Sequence, residues 1–363
     1  MERMNVKQSA EWVTSKMENV RIVSENLEAA ADLLLDKISE KQYSQKTWKQ
    51  HNLHPQTNDE STVDWIFLID LLNFSFWNER SPKKRFTVTF NGVPYTGYWS
   101  LCATIQRCLL EGIPITSPSY YATATTEELK HALRPDDYNE YDEMPLIDLR
   151  IQLLQEAGNI LVTKFNGSFV NCIRQCNGSA QELINLIISN FGHIFDDSLL
   201  YHGVIVSFHK RVQILVADLW ACFEGGTFGT FNDISTITMF ADYRVPQALL
   251  YFKVLEYLPD LMSTLQKHEQ YHRSIDSDVQ LNSENMLQRG HPYEIEIRAA
   301  SIHVVELLVG IIKSKIDLNP DVYTIKSGDL NAIILDFYLW DIAKEQSESM
   351  AHLPIHLTRT IYY

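Results

Sequence analysis

Basic residues are scarce in this sequence. Its 363 residues include 31 lysines and arginines against 46 aspartates and glutamates, which gives a formal net charge of −15. Duplex DNA and RNA are bound largely through lysine and arginine side chains that neutralise phosphates. We therefore expect no direct binding of duplex nucleic acid. A small ligand with a single phosphate stays compatible with this charge, because one basic pocket suffices for it.

Cysteine is also scarce and irregularly spaced. An odd number of cysteines argues against a disulfide framework, and their spacings do not match those of zinc sites. We expect free, mostly buried thiols and no metal site built on them. The five cysteines are Cys102, Cys108, Cys172, Cys176 and Cys222.

The sequence has no apolar run long enough to cross a membrane. The most apolar stretch, Val63–Trp77, is too short for a membrane span and includes Asp64 and Asp70. The N-terminal residues also lack the apolar core of a secretory signal peptide. We expect a cytoplasmic protein that binds no membrane, with nuclear residence as the alternative.

Helical periodicity dominates the chain. Apolar residues recur at helical spacing over residues 212–223, 300–311 and 330–338. An N-terminal helix with apolar positions from Val23 to Ile38 is expected to end near residue 40. No change in composition marks a domain boundary, so the pattern predicts a mainly α fold in a single large helical domain.

Strand signals are few. Phe86–Phe90 alternates in polarity, Asn91-Gly92 supplies a turn, and Val93–Trp99 follows, which predicts a small β-hairpin insertion. Residues 160–170, which include Gly167, are interpreted as a further short extended piece. Loops are expected at residues 45–62, 114–145 and 272–293.

Asp242 is the first candidate for chemistry. It lies between the apolar residues Phe240 and Val245, just before Pro246, and proline is typical of the first turn of a helix. A carboxylate on such a short connection lies beside the core, where a fold can fix a reactive group. A simpler interpretation is that Asp242 only caps the next helix, and this one is favoured when the residue is considered alone.

A basic pair begins the helix predicted from residue 212. Lys210 and Arg211 combine positive charge with the free backbone N–H groups of a helix N-terminus, which suits a phosphate. An ordinary solvated basic pair is an equally good interpretation.

The C-terminal helix carries an acidic and aromatic corner. Asp341 falls on the apolar stripe that begins at Leu330, and Asp336 lies at its flank with Trp340 nearby. Such a corner would suit a cationic ligand, whereas a solvated acid pair at a helix end is the alternative.

Three further features have two interpretations each. Asp70 lies in an apolar helix and is either a ligand contact or a structural carboxylate. His54 is either a pocket histidine or an ordinary buried one. His268 and His272 fit the H-E-x-x-H pattern of zinc proteases, but their polar neighbours favour a chance match on a solvated helix.

Several longer segments, in order along the chain, resemble the queuosine salvage family of queuosine 5′-phosphate N-glycosylase/hydrolases. The resemblance extends from about residue 45 to Tyr363. The segments that carry it are Val63–Phe67, Asn73–Trp77, Gly97–Ala103, Gly112–Thr116, His209–Gln213, Phe240–Gln247, Glu294–Arg298 and Leu339–Asp341.

The resemblance implies a fold related to helix-hairpin-helix DNA glycosylases. It also implies hydrolysis of the N-glycosidic bond of queuosine 5′-monophosphate, which releases queuine for reinsertion into tRNA. No metal or cofactor is needed for this. Asp242 would be the catalytic carboxylate and Lys210 the contact to the 5′-phosphate. Positions similar to the queuine contacts are His54, Phe240, Asp336, Trp340 and Asp341.

These expectations divide the chain into an N-terminal helical segment, 1–45, and a glycosylase-like domain, 46–363. Two other functions stay open at this point. One is a non-catalytic carrier of queuine or a related deazapurine, which would bind its ligand without cleaving a bond. The other, much weaker, is a metalloprotease built on His268 and His272.

Overall fold

The computed structural model describes residues 4–77, 85–136, 143–274 and 284–363, and across these ranges the chain is mainly helical, as predicted. The α-helices are α1 (Val6–Thr14), α2 (Leu27–Glu40), α3 (Glu60–Leu72), α4 (Tyr98–Leu110), α5 (Pro118–Thr123), α6 (Thr126–Ala132), α7 (Ile147–Lys164), α8 (Val170–Gln175), α9 (Ala180–Phe191), α10 (Lys210–Cys222), α11 (Val245–Tyr251), α12 (Pro259–Ser274), α13 (Pro292–Leu318) and α14 (Ala332–Glu345).

Short strands pair into two-stranded antiparallel ribbons. The predicted hairpin is confirmed, with positive φ at Asn91 and Gly92 as its tight turn requires. The hairpin after α9 was not predicted, and neither was a ribbon between two segments far apart in sequence. The three pairs are β1 (Val20–Ile22) with β6 (Leu255–Tyr257), β2 (Thr87–Phe90) with β3 (Val93–Thr96), and β4 (Ser198–Tyr201) with β5 (Val204–Ser207).

Two local predictions are wrong. Residues 160–170 are not extended, because α7 continues to Lys164 and the N–H groups of Phe165 and Gly167 both donate to the Leu161 carbonyl, which closes the helix. The expected loop at 114–145 contains α5 and α6. Thr125 and Glu128 form a capping box that begins α6, a start signal that the polar composition concealed. Of the expected loop at 272–293, residues 275–283 lie outside the described ranges.

Two large hydrophobic clusters make up the core. One gathers α3, α4, α7, α9 and most of α10, and the other gathers α1, α2, α11, α13 and most of α14. The N-terminal helices α1 and α2 both pack on α13, where Lys7 also pairs with Glu306 at 2.8 Å. Residues 239–241 and α14 contribute to both clusters, so they lie along the border between them. All five cysteines are free and buried, as expected.

Candidate functional site

A cavity of about 790 Å³ lies at the border between the two clusters. Its volume is within the range usual for small-molecule sites. The wall is formed by residues 43–54, the segment after α3, the start of α4, one face of α10, the loop before α11, and α14. All seven candidate residues from the sequence line it, namely His54, Lys210, Phe240, Asp242, Asp336, Trp340 and Asp341.

Asp242 both caps a helix and lines the cavity. Its Oδ1 accepts hydrogen bonds from the N–H groups of Arg244 at 2.8 Å and Val245 at 2.9 Å, at the start of α11. None of the hydrogen bonds between described residues uses Oδ2. Burial raises the pKa of the carboxyl, although the charge of Lys210 and the two N–H groups oppose that rise. The capping interpretation is therefore correct for one oxygen and leaves the second for a ligand.

Lys210 is a buried cation among carboxyl groups. It is the first residue of α10, and its Nζ lies 3.5 Å from the Asn73 carbonyl oxygen. Burial lowers the pKa of Lys210, and the charges of Asp242, Asp70 and Asp336 oppose that shift. An ammonium in this position favours the ionised form of the carboxyl groups around it.

The basic pair at the start of α10 divides between two environments. Lys210 lines the cavity, whereas the guanidinium of Arg211 donates to the carbonyl oxygens of Leu71 and Ile194 inside the core. Because the Arg211 guanidinium is hydrogen-bonded to those carbonyl oxygens, Lys210 is the member of the pair that is available to an anionic ligand.

Asp336 connects α14 to the loop that carries Asp242. Its Oδ1 accepts a hydrogen bond of 2.9 Å from the backbone N–H of Phe240, and both residues are buried. Burial raises the pKa of Asp336 well above its usual range, and repulsion from Asp242 adds to this. The Phe240 ring lies 5.9 Å from that of Phe337, so an aromatic surface borders the carboxyl.

The predicted acidic and aromatic corner is present, and the N-terminal segment contributes to it. The Tyr43 hydroxyl donates a hydrogen bond of 2.6 Å to Asp341 Oδ2. The Lys344 ammonium lies 4.0 Å from the centre of the Trp340 ring, and the Tyr98 ring meets Trp340 edge-on at 6.3 Å. Burial raises the pKa of Asp341, which the Tyr43 hydroxyl opposes.

His54 belongs to an aromatic shelf, which we define as Trp48, His54 and Tyr98. Its ring stacks on Trp48 with 3.8 Å between centroids. Nδ1 lies 2.6 Å from the Trp48 carbonyl oxygen, which can only accept, so Nδ1 carries the proton and Nε2 accepts from the Tyr98 hydroxyl at 2.8 Å. Burial lowers the pKa of His54 to about 3. The neutral ring therefore lines the cavity without a free nitrogen for a ligand.

Asp218 is a cavity residue that the sequence reasoning missed. It is 3% exposed and lies on the same face of α10 as Lys210 and Ile214, which also line the cavity. A signal for it was present, because Asp218 is the single carboxylate in a helix that is buried on nearly all sides. Asp70, by contrast, does not line the cavity; its Oδ1 accepts from the Asn73 amide at 3.2 Å.

The H-E-x-x-H segment lies on α12, with Glu269 and His272 at the edge of the cavity. Glu269 pairs with Arg273 at 2.7 Å, and His272 packs edge-on against Trp77. Within the described ranges, no group of three or more His, Cys, Asp or Glu side chains could hold a metal ion. This geometry gives no support to a metalloprotease.

Across the described part of the chain, every helix is too short or too polar to cross a membrane.

Comparisons with known proteins agree on one family. The family model described as queuosine salvage protein matches residues 53–363. A protein from Bos taurus named queuosine 5′-phosphate N-glycosylase/hydrolase is 43% identical over 98% of each chain. A protein of the same name from Schizosaccharomyces pombe is 39% identical, and the match covers 94% of this chain and 91% of the relative. Another from Sphaerobacter thermophilus is 33% identical, and the match covers 91% of this chain and 90% of the relative. The chain belongs to the queuosine salvage protein family.

Proposed function

We propose that the cavity beside Asp242 and Lys210 is the active site of a nucleotide hydrolase. This chain hydrolyses the N-glycosidic bond of queuosine 5′-phosphate and releases queuine for salvage into tRNA, as its family and the names of its relatives support. One structural observation carries the assignment of the site. A carboxylate with one oxygen fixed by a helix start lies beside a buried ammonium on the wall of a ligand-sized cavity.

Asp242 is the proposed catalytic carboxylate. Breaking a glycosidic bond places positive charge on the ribose, and a fixed carboxylate stabilises that oxocarbenium-like state or activates a water molecule. The hydrogen bonds to Oδ1 hold the group rigidly and leave Oδ2 for the reacting sugar or water. Burial raises the pKa of this carboxyl, and the charge of Lys210 opposes that rise and so favours the ionised form.

Lys210 is also the proposed contact to the 5′-phosphate. Its ammonium is a compact charge at the start of α10, where backbone N–H groups add to the attraction for an anion. A phosphate there would place the attached ribose close to Asp242, because the two side chains interact electrostatically. This contact gives a physical reason for preferring the nucleotide to the nucleoside.

The remaining cavity residues are proposed to hold queuine. Its cyclopentenediol arm carries a secondary ammonium, which the carboxyl groups of Asp341 and Asp336 suit. The rings of Phe240 and Trp340 and the face of His54 provide aromatic surface for the flat base. No metal or cofactor is needed for this arrangement.

The decisive experiment compares cleavage with binding. Purified protein is incubated with queuosine 5′-monophosphate, and free queuine is followed by mass spectrometry. Asp242→Asn is the matched control, because asparagine keeps the oxygen that caps α11 but removes the negative charge. We expect queuine from the unchanged protein and almost none from the variant. Binding without release by the unchanged protein would favour the queuine carrier instead.

Three coarser proposals accompany this one. Residues 46–363 form the glycosylase-like domain, and 1–45 form a helical segment that is attached to it. The mainly helical fold supports, at the level of fold class, the relation to helix-hairpin-helix DNA glycosylases. The five free thiols and the negative net charge support a protein of the cytoplasm or nucleus that binds a small nucleotide and no duplex nucleic acid.

A further inference from the structure

One carboxyl group on the cavity wall, that of Asp218, has no role in the reaction proposed above. Asp218 projects from α10 one turn beyond Ile214, and both line the cavity together with Lys210. Asp218 is 3% exposed, and the neighbouring Trp48 indole favours its charged form against the effect of burial. Asp218 therefore lies between the aromatic shelf and Lys210, where a flat base and its ribose would meet.

Too many carboxyl groups surround Lys210 for all of them to be ionised. Asp70 and Asp336 both repel the charged form of Asp218, whereas Lys210 attracts it. Lys210 also interacts with Asp242, Asp70 and Asp336, so its single charge is shared. Burial raises the pKa of Asp218 well above its usual range. Burial and the neighbouring carboxyl groups therefore favour the neutral form of Asp218, which has one O–H donor and one carbonyl acceptor.

Queuine offers a matching edge. Like guanine, it carries a ring carbonyl oxygen that accepts and an adjacent ring N–H that donates. A neutral carboxyl group binds such a pair with two parallel hydrogen bonds, whereas an ionised carboxylate would repel the carbonyl oxygen. The same edge gains negative charge as the base leaves, since a 7-deazapurine has no nitrogen at position 7 to take a proton.

We propose that Asp218, as a neutral carboxylic acid, binds the carbonyl and N–H edge of the base, donating to the oxygen and accepting from the nitrogen. The inference deepens the proposed function and rests on it. The O–H donor strengthens its hydrogen bond as charge develops on the leaving base, and no proton needs to be transferred in that step. Asp218 thus contributes to recognition of the base and to its departure, while Asp242 acts on the ribose.

Two substitutions separate this role from a structural one. In Asp218→Asn, the amide keeps one donor and one acceptor. In Asp218→Leu, the shape is similar but both polar groups are lost. We expect the leucine variant to bind free queuine about 10- to 100-fold more weakly by isothermal titration calorimetry, because the base edge is left unpaired in a buried site. The asparagine variant should stay within about threefold of the unchanged protein.

These measurements distinguish a failure of the inference about Asp218 from a failure of the proposed hydrolase function. Queuine affinity unchanged in Asp218→Leu would overturn the inference, even if the unchanged protein cleaves queuosine 5′-monophosphate. An equal loss of affinity in both variants would also overturn it, because that is the result for an ionised carboxylate or a purely structural group. Thermal melting of each variant shows whether it is folded. If the unchanged protein binds queuine but cleaves nothing, the hydrolase proposal fails while the role of Asp218 is still decided by the two affinities.

Discussion

Two buried ionic clusters in this protein differ in how completely their charges are paired. In the Arg298 cluster, Arg298 contacts Asp197 at 2.5 Å and Glu294 at 3.1 Å, and the Tyr363 hydroxyl donates to Glu294 at 2.9 Å. In the Lys210 cluster, one ammonium faces Asp70, Asp218, Asp242 and Asp336. Both carboxylates of the first cluster contact a guanidinium, and Arg289 adds a second contact to Asp197 at 3.4 Å, whereas the second cluster has an excess of carboxyl groups beside a cavity.

The pKa values follow this difference at one residue of the Arg298 cluster. Burial alone would raise the pKa of Asp197, but attraction to Arg298 outweighs it and the pKa is lowered, whereas burial prevails at Glu294 and its pKa is raised. In the other cluster, burial prevails over Lys210, and the pKa values of Asp242 and Asp336 are raised. Of the carboxyl groups with a raised pKa, Asp242 and Asp336 line the cavity and are therefore the ones that a cationic or polar ligand can use. The comparison assigns stability to one cluster and chemistry to the other.

The two clusters are also connected. Arg298 Nε donates a hydrogen bond of 3.0 Å to the carbonyl oxygen of Ala241, the residue before Asp242. The paired cluster thus holds the backbone from which the proposed catalytic carboxylate projects. A rigid support of this kind is what a fixed reactive group requires.

The largest expected effect comes from the unpaired cluster. Asp242→Asn should lower kcat/KM for queuosine 5′-monophosphate by about 10³- to 10⁴-fold, since the negative charge opposite the ribose is lost. The free energy of unfolding, measured with urea, should change little because Oδ1 still caps α11. A loss of unfolding free energy comparable with the loss of activity would contradict the proposal that the Lys210 cluster serves chemistry and the Arg298 cluster serves stability.

The reverse pattern is expected for the paired cluster. Arg298→Met leaves Asp197 and Glu294 buried without their cation, and the free energy of unfolding should fall by about 3–5 kcal/mol. Arg298→Lys keeps the charge but loses the forked geometry and should be intermediate. Urea denaturation measures both variants. If Arg298→Met unfolds at the same urea concentration as the unchanged protein, the cluster does not stabilise the fold.

A smaller effect is expected when the shared cation is removed. Lys210→Met should raise KM for queuosine 5′-monophosphate about 10- to 100-fold, which corresponds to one charge-assisted hydrogen bond to phosphate. The nucleoside queuosine, which has no phosphate, serves as the control substrate and should be affected less. Equal losses on the two substrates would contradict the phosphate contact.

The smallest effect is a shift along the pH axis. Asp242 has to be ionised to act, so kcat/KM should fall as the pH decreases through its pKa. Because Lys210 lowers that pKa, Lys210→Met should move this acid limb towards higher pH. Profiles measured on queuosine avoid titration of the substrate phosphate. An unmoved acid limb would show that Asp242 does not determine it.

Local signals in the sequence were sufficient for much of the site. The periodicity of residues 212–223 predicted α10 and placed Lys210 at its start, and Pro246 placed Asp242 just before α11. The apolar stripe of the C-terminal helix pointed to Asp341 and Asp336 with Trp340 nearby, and the family resemblance added Phe240 and favoured His54 as a pocket residue. The two helix placements are confirmed, because each depends on residues a few positions apart.

Long-range features were not predictable in this way. Tyr43 donates to Asp341, which lies 298 positions later, and nothing near either residue indicates the pairing. The strands β1 and β6 have three residues each, too few to show an alternating pattern. Asp218 was missed for a different reason. As a carboxylate in a helix that is buried on nearly all sides, it departs from the local pattern, and such departures are expected at functional or strained sites.

The pairing of β1 with β6 has a consequence for how the chain is made. Residues 20–22 leave the ribosome early, but their partners at 255–257 and the helix α13 that covers α1 emerge more than two hundred residues later. At usual rates of translation this delay is roughly 10–50 s. During that interval the apolar face of α1, formed by Val6, Ala10 and Val13, lacks the native surface that α13 provides. Tyr43 is therefore synthesised long before its partner Asp341 on α14 and can bind it only afterwards. The pocket is complete only when α14 has been synthesised.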